Sequence, residues 1–284
     1  MENWINLRQE RDFGEKFNAT FTFARQNLKK LFVVLLFLGS PLMIASTLLN
    51  GYLQTSLREL LLDGEFGGII VYYGLIFGVS IIAQSWLNTI TLCYIAEYLE
   101  GNRNISINSV FKRAGKKIAL IIGANLITGI FVALGTMLFI VPGIYLIIAL
   151  CFVNAIIIFE KISIMEAISR SINLIKENWF STLGLLIIIA IVIMLMQMVF
   201  NIPLYIYIAV SSLSGQVPEF SIAYILTMIF ATLGSALIYP LLYITIAFQY
   251  FNLVEHKESA GLKSEIDNIA QQQTTENKGN EGEY

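Results

Sequence analysis

The sequence predicts an all-α, polytopic helical membrane protein, with about six transmembrane helices and three amphipathic helices on the cytoplasmic face. Three observations predict it. Five stretches carry no charged residue: Leu31–Leu57, Phe66–Ala96, Ile118–Phe159, Asn178–Pro218 and Phe220–Val254. Each exceeds the ~20 apolar residues that cross a bilayer. The composition is 56% hydrophobic and only 13% charged, against about 25% charged in an ordinary soluble domain. Five helices apolar on every face therefore have too little charged sequence to hide behind. Finally, of the 18 lysines and arginines, all but Arg58 fall in segments that alternate crossings place on one side. The positive-inside rule puts that side, and both chain ends, in the cytoplasm.

The residues before Leu31 are of mixed charge. A cleavable signal has a short basic start and then its apolar core, so the first apolar run is expected as a retained span. The run Ile118–Phe159 is long enough for a hairpin, with its break at Val141-Pro142-Gly143: proline does not continue a helix and glycine permits the turn. The fifth span is expected to end at Asn201-Ile202-Pro203, leaving 204–210 as a short interfacial or re-entrant piece. Pro240 is expected to kink the sixth. Residues 1–258 thus form one helical membrane domain, with spans near 31–50, 68–94, 118–140, 142–159, 179–200 and 222–251. The polar segment 259–284 is expected to be a disordered cytoplasmic tail, since it has too little apolar surface to offset its ordering entropy.

Three stretches outside the spans share an amphipathic pattern. The first opens at Asp12-Phe13-Gly14-Glu15 and places Phe13, Phe17, Phe21, Ala24 and Leu28 on one face. The second starts at Ser106 or Asn108 and sets Val110, Phe111, Ala114 and Ile118 opposite Lys112, Arg113, Lys116 and Lys117. The third opens with a capping box, Ser163-Ile164-Met165-Glu166, and has Ile164, Ala167, Ile168, Ile172 and Ile175 as its apolar face. Glu166 and Arg170 are expected to pair on its other face. Each stretch precedes a pair of spans, a pattern that suggests a degenerate threefold repeat.

No stretch specifies a chemical reaction. His256 stands alone just past the last span and reads as a solvated interface residue. Cys93 and Cys151 lie in apolar runs, match no metal spacing and read as small packing residues. No catalytic, metal or cofactor residue is assigned. Gly74-Leu75-Ile76-Phe77-Gly78 is a GxxxG pattern, expected to let two helices approach closely, within the chain or, as the alternative, across a dimer seam. Polar groups are costly in hydrocarbon, which marks Gln84, Asn88, Asn125, Asn154 and Gln197 either as interhelical hydrogen-bonding groups or as functional residues, with Asn125 and Asn154 kept as candidates. Glu97 and Glu160 flank spans on the cytoplasmic side and are the candidate functional acids. Lys112, Arg113, Lys116 and Lys117 are the candidate contacts to anionic lipid headgroups, each charge near the surface adding about 1 kcal/mol.

Several segments also resemble a known group. They are Phe17-Asn18-Ala19-Thr20-Phe21 through Arg25-Gln26-Asn27, Val141-Pro142-Gly143-Ile144-Tyr145-Leu146, Phe159-Glu160-Lys161 with Ala167-Ile168-Ser169-Arg170-Ser171, and Leu174-Ile175-Lys176-Glu177-Asn178-Trp179. Over roughly 12–255 the chain resembles the bacterial membrane domain attached to some glycerophosphoryl diester phosphodiesterases. In that family a proline often precedes the glutamate matched to Glu160; Asn154 stands in that neighbourhood here. The resemblance implies a helical membrane domain. It does not imply the phosphodiesterase activity, which belongs to a separate barrel of about 250 residues.

The expectation is an integral protein of the bacterial cytoplasmic (inner) membrane. Its expected role is non-catalytic: accessory, scaffold or lipid-contacting. Its expected partners are anionic lipids and a membrane protein, and not nucleic acid. A transporter or channel is the alternative, and a lipid-modifying membrane enzyme a more distant one.

Overall fold

A computed structural model of the chain describes residues 5–62, 66–102, 104–215 and 220–258, with the side chains of 55–62 and Phe66 left aside. The expected tail 259–284, Arg58 and Arg103 lie outside what is described. Every regular element among the described residues is helical: α1 (Phe13–Gln26), α2 (Leu28–Val34), α3 (Ser40–Leu62), α4 (Phe66–Leu99), α5 (Ile107–Leu138), α6 (Ile140–Ala149), α7 (Val153–Phe159), α8 (Ile164–Ile175), α9 (Trp179–Leu213), α10 (Ile222–Ile238) and α11 (240–258). Six stretches are long and apolar enough to cross a membrane: Leu28–Gln54, Gly67–Leu99, Ile107–Leu138, Ile140–Phe159, Trp179–Leu213 and Ile222–Glu258. The protein is therefore an all-α, multi-pass membrane protein. Each crossing stretch is built from helix because hydrocarbon offers no partner to an unpaired backbone group.

The helix starts follow their caps. Asp12 accepts from the Glu15 N–H at 2.7 Å and Glu15 reaches back to the Asp12 N–H at 3.1 Å. Ser163 and Glu166 form the same reciprocal pair on α8. Ser106 caps α5 by accepting from the Ser109 N–H at 3.1 Å. All three amphipathic segments thus begin on a side-chain cap. The second is not a separate helix, however: it runs without a break into the third long stretch.

Local departures have local causes. Between α2 and α3 the chain makes one π-helical turn, Leu35–Gly39, just before Pro41. Proline lacks an N–H and crowds the carbonyl four residues back, and the wider turn accommodates it. The break after α5 falls at Phe139, which is extended (φ −159, ψ 152). It is two residues earlier than expected, and Pro142 sits inside the first turn of α6, where its missing N–H costs little. The return leg is interrupted again at 150–152, between α6 and α7. The segment 204–210 is not a separate piece: α9 continues through Pro203 to Leu213 as one helix. At Pro240 the helix does restart, after Ile238.

The main core lies where α4, α7, α8 and α11 meet, with Leu87, Tyr94, Phe152, Ile156 and Phe248 almost wholly buried. On α8, Ala167, Ile168 and Ile175 of the expected face are buried within the protein, Ile164 and Ile172 are half-buried, and Leu174 is buried beside them. On α1 the inward face is instead Lys16, Thr20 and Phe23, with Phe13 and Leu28 exposed. Phe17 and Phe21 pack beside Ile189, Ile193 and Leu241.

The expected tight approach at Gly74 and Gly78 is not made among the described residues, where nothing lies within 4 Å of a Cβ at either. The close approaches are elsewhere. A Cβ at Gly143 would fall 2.1 Å from the Thr136 hydroxyl oxygen and 2.9 Å from the Thr136 Cα, so α5 and α6 touch through it. Gly143→Ala is expected to lower the stability of the detergent-purified protein by about 1–3 kcal/mol, the usual cost of overpacking. Gly78→Ala is expected to be neutral or slightly stabilising, by up to about 1 kcal/mol from helix propensity. Thermal unfolding of the two variants side by side checks both.

Candidate functional site

Among the described residues the charged side chains gather at one end of the bundle, where two clusters are tied by arginines. In the first, Arg113 near the start of α5 meets the end of α4. Its two terminal nitrogens donate to the two carboxylate oxygens of Glu100, both at 2.8 Å, and Nη1 lies 3.5 Å from Glu97 Oε1. Asn102 donates to the other Glu97 oxygen at 2.7 Å. Glu97 is only 9% exposed, so this partnering compensates its loss of water. The hydrogen bond from Arg113 also holds the Glu100 carboxyl below its ordinary range.

In the second cluster Arg170 projects from α8. Its Nε donates to Glu160 Oε1 at 3.1 Å, and Nη2 is hydrogen-bonded to Glu258 at the end of α11. The Tyr250 hydroxyl donates to the same Glu160 oxygen at 2.7 Å. The expected Glu166–Arg170 pair does not form. Glu166 is occupied by its cap, which holds its carboxyl below the ordinary range through the Ser163 backbone N–H. Arg170 turns to acids distant in sequence instead. Burial opposes its charge, but hydrogen bonds to Glu258 and Glu160 outweigh that and raise its pKa.

The segment before α1 lies across the same end. Ile5 N–H donates to the Tyr98 hydroxyl at 3.0 Å, Arg11 N–H to Asn252 at 2.6 Å, and the Arg11 guanidinium sits over the Phe248 ring at 5.4 Å. His256 is not merely solvated: its Nδ1 shares a hydrogen bond with Glu10 at 2.7 Å. The two ends of the described chain therefore meet.

Of the expected headgroup contacts, Lys112 and Lys116 are exposed and Lys117 is half-buried. Arg113 is directed inward, onto Glu97 and Glu100. The candidate acids Glu97 and Glu160 fall into separate clusters, each held by its own arginine. Among the described residues no group of three His, Cys, Asp or Glu side chains could hold a metal.

The amides of the long stretches form two hydrogen-bonded chains that converge on one turn of α4, with Asn88 buried and Gln84, Asn125 and Asn154 half-buried. Asn154 donates to Asn125 at 2.8 Å, and Asn125 to Ser85 at 2.8 Å. The Tyr243 hydroxyl donates to Gln84 at 3.4 Å and is also hydrogen-bonded to Asn88. The carbonyl oxygens of Asn154 and Asn88 are buried with no partner among the described residues. Sequence reasoning found these amides from their rarity in apolar runs. It missed Tyr250, Glu258 and Asn252 as cluster members, since their partners lie 88 to 241 positions away, and it paired Arg170 with Glu166 in place of Glu160.

A family model described as a domain of unknown function, DUF7847, matches residues 69–252. The chain belongs to that family. The matched region runs from α4 into α11 and holds the whole Arg113 cluster, both amide chains and Glu160, Arg170 and Tyr250 of the second cluster. No curated protein and no solved structure matches the chain significantly.

Because Glu100 has a depressed pKa in the folded protein, its contribution is fully present above its ordinary value of 4.5 and is lost as the pH falls below it. Glu100→Gln is expected to flatten that acid limb in a titration of thermal stability. Arg113→Gln is expected to cost more, about 1–3 kcal/mol at neutral pH, because it strands the buried Glu97 carboxylate without its cation.

Proposed function

We propose that this is a non-catalytic accessory or scaffold protein of the bacterial cytoplasmic (inner) membrane, with both termini in the cytoplasm and a face that engages anionic lipid headgroups. The observation that carries the reading is the division of labour within one basic cluster. Arg113 is consumed by Glu97 and Glu100, whereas Lys112 and Lys116 stand exposed, with no carboxylate in ion-pair range among the described residues. Lysine is a strongly hydrated point charge on a flexible stem, suited to phosphate on a fluid surface, and arginine to a fixed bidentate partner. The cytoplasmic orientation is supported by the distribution of lysine and arginine. The likeness to phosphodiesterase-linked membrane domains supports a membrane-domain role without the attached enzyme. A membrane protein partner fits the same role.

Glu97 and Glu160 serve as structural acids in this reading. A lipid-modifying enzyme would need one of them released from its arginine to handle protons. The transporter reading is favoured by one observation, the two unpartnered amide oxygens of Asn88 and Asn154. They invite a hydrogen-bond donor into the interior. Ligand-dependent flux in proteoliposomes that is abolished by Asn154→Leu would favour transport over the accessory role.

Lys112→Gln, Lys116→Gln and Lys117→Gln combined are expected to weaken binding of an anionic phospholipid to the purified protein. At about 1 kcal/mol per charge, the loss is roughly fivefold per lysine. Arg113→Gln is expected to lower stability with little change in lipid affinity. Native mass spectrometry across a lipid titration reads both, and an unchanged lipid affinity in the triple variant would count against the proposal.

A further inference from the structure

The pair α5–α6 is long and apolar enough to cross, yet its contacts place its turn on the wrong side for a crossing. Thr182, one turn into α9, accepts from Gln249 at 2.9 Å. Gln249 lies just before Asn252 and His256, which bind Arg11 and Glu10. The start of α9 is therefore at the ionic end of the bundle, and α9 runs away from it for 35 residues, roughly 52 Å at 1.5 Å per residue. Trp179, the first residue of α9, stacks on Tyr145 with ring centroids 5.9 Å apart, and its indole N–H donates to the Tyr145 carbonyl at 3.4 Å. Four residues on, the Ala149 carbonyl accepts from Ser171, the neighbour of Arg170, at 2.7 Å. Two successive turns of α6 are thus fastened to the ionic end.

The turn at Phe139 precedes Tyr145 by only six positions, about 9 Å of helix. The hydrocarbon core is about 30 Å thick. A turn that close to Trp179 falls short of the far headgroups.

The composition of the turn agrees. Met137, Leu138, Phe139, Ile140 and Val141 are 85%, 72%, 74%, 70% and 75% exposed, five consecutive apolar side chains that the protein leaves largely uncovered. The two connections between long stretches that lie away from the ionic end, at 50–65 and 211–221, carry charge or abundant hydroxyls and amides in their sequence; 137–141 has none. Its backbone is also economical. Phe139 N–H donates to Gly135 O at 3.1 Å, Gly143 N–H to Phe139 O at 3.4 Å, and Pro142 has no N–H to leave unpaired. Gly135 and Gly143 let the two legs lie in contact.

We propose that α5–α6–α7 is a re-entrant hairpin, which enters and leaves the membrane on the ionic side with its apolar tip, Met137–Val141, in the acyl chains of that leaflet. Four stretches then cross, the parity of the chain ends is kept, and the protein inserts a wedge into one leaflet only. The occupant of the tip is lipid hydrocarbon. This does not depend on the lysine contacts, so failure of the lysine variants leaves it standing.

The test is single-cysteine labelling of the full chain in sealed vesicles of both orientations, at Met137→Cys, Phe139→Cys and Val141→Cys. Ser214→Cys marks the far side and Ser109→Cys the ionic side, and labelling of the native Cys93 and Cys151 is subtracted. A membrane-impermeant maleimide is expected to label Ser214→Cys and Ser109→Cys from opposite sides and the three tip positions from neither. A bimane placed at the tip with a permeant reagent is expected to be quenched by nitroxide on the lipid acyl chains. Tip labelling from the side that reaches Ser214→Cys overturns the proposal by showing a full crossing. Labelling from the Ser109→Cys side, or an unlabelled tip that acyl-chain nitroxide does not quench, overturns it by placing the tip in water or against protein.

Discussion

The structure depends on keeping ionised groups out of hydrocarbon. A charge near the bilayer centre costs several kcal/mol on any scale (about 2.5–3.5 by insertion measurements). The long stretches accordingly hold none in their interiors, and the charged groups among the described residues collect at one end. Helix ends brought together there carry opposite charges, and Arg113 and Arg170 turn that crowding into cross-links. Arg113 joins α4 to α5; Arg170 joins α8 to the ends of α7 and α11. The segment around Ile5–Arg11 closes the same surface over Tyr98, Phe248 and Asn252. An exposed ion pair contributes little. Here Glu97 and the arginines are partly desolvated, and their value is as much in fixing register as in energy.

Two kinds of polar group divide the interior from the end. At the end, Arg113 and Arg170 are paired with acids while Lys112 and Lys116 face outward. Inside, neutral amides and hydroxyls bridge α4, α5, α7 and α11 through Ser85, Asn125, Asn154, Gln84 and Tyr243. Such bonds between membrane helices average well under 2 kcal/mol each. They orient helices whose apolar faces would otherwise slide. The bridging positions all lie within the family-matched region 69–252, whereas α1 to α3 precede it.

Much of this was legible in the sequence because the signals are local. Uncharged runs locate the long helices, and Asp12 with Glu15 and Ser163 with Glu166 announce two helix starts three residues ahead. The missed features are non-local or depend on competition. Glu166 could serve either its cap or Arg170; the cap wins because it satisfies two backbone donors at the helix start, while Arg170 finds Glu160 and Glu258. Pro203 looks like a stop, yet α9 passes through it, as helices with apolar surroundings tolerate a lost hydrogen bond better than an exposed end. The GxxxG at Gly74 and Gly78 has a recognisable spacing, but spacing does not say what it faces. The placement of α6 was the least legible: its residues read as an ordinary span, and only Tyr145 against Trp179 and Ala149 against Ser171 reveal where it lies.

The central claim is that one end of the bundle gathers the described charged side chains and both ends of the described chain, which the proposed function places in the cytoplasm. The most direct measurement fuses a compartment-sensitive reporter, active only in the cytoplasm, to either terminus of the intact chain in living cells. The account predicts activity from both fusions. A signal from one terminus and silence from the other would mean an odd number of crossings, and would contradict the meeting of Glu10 with His256 on which the assembled end rests.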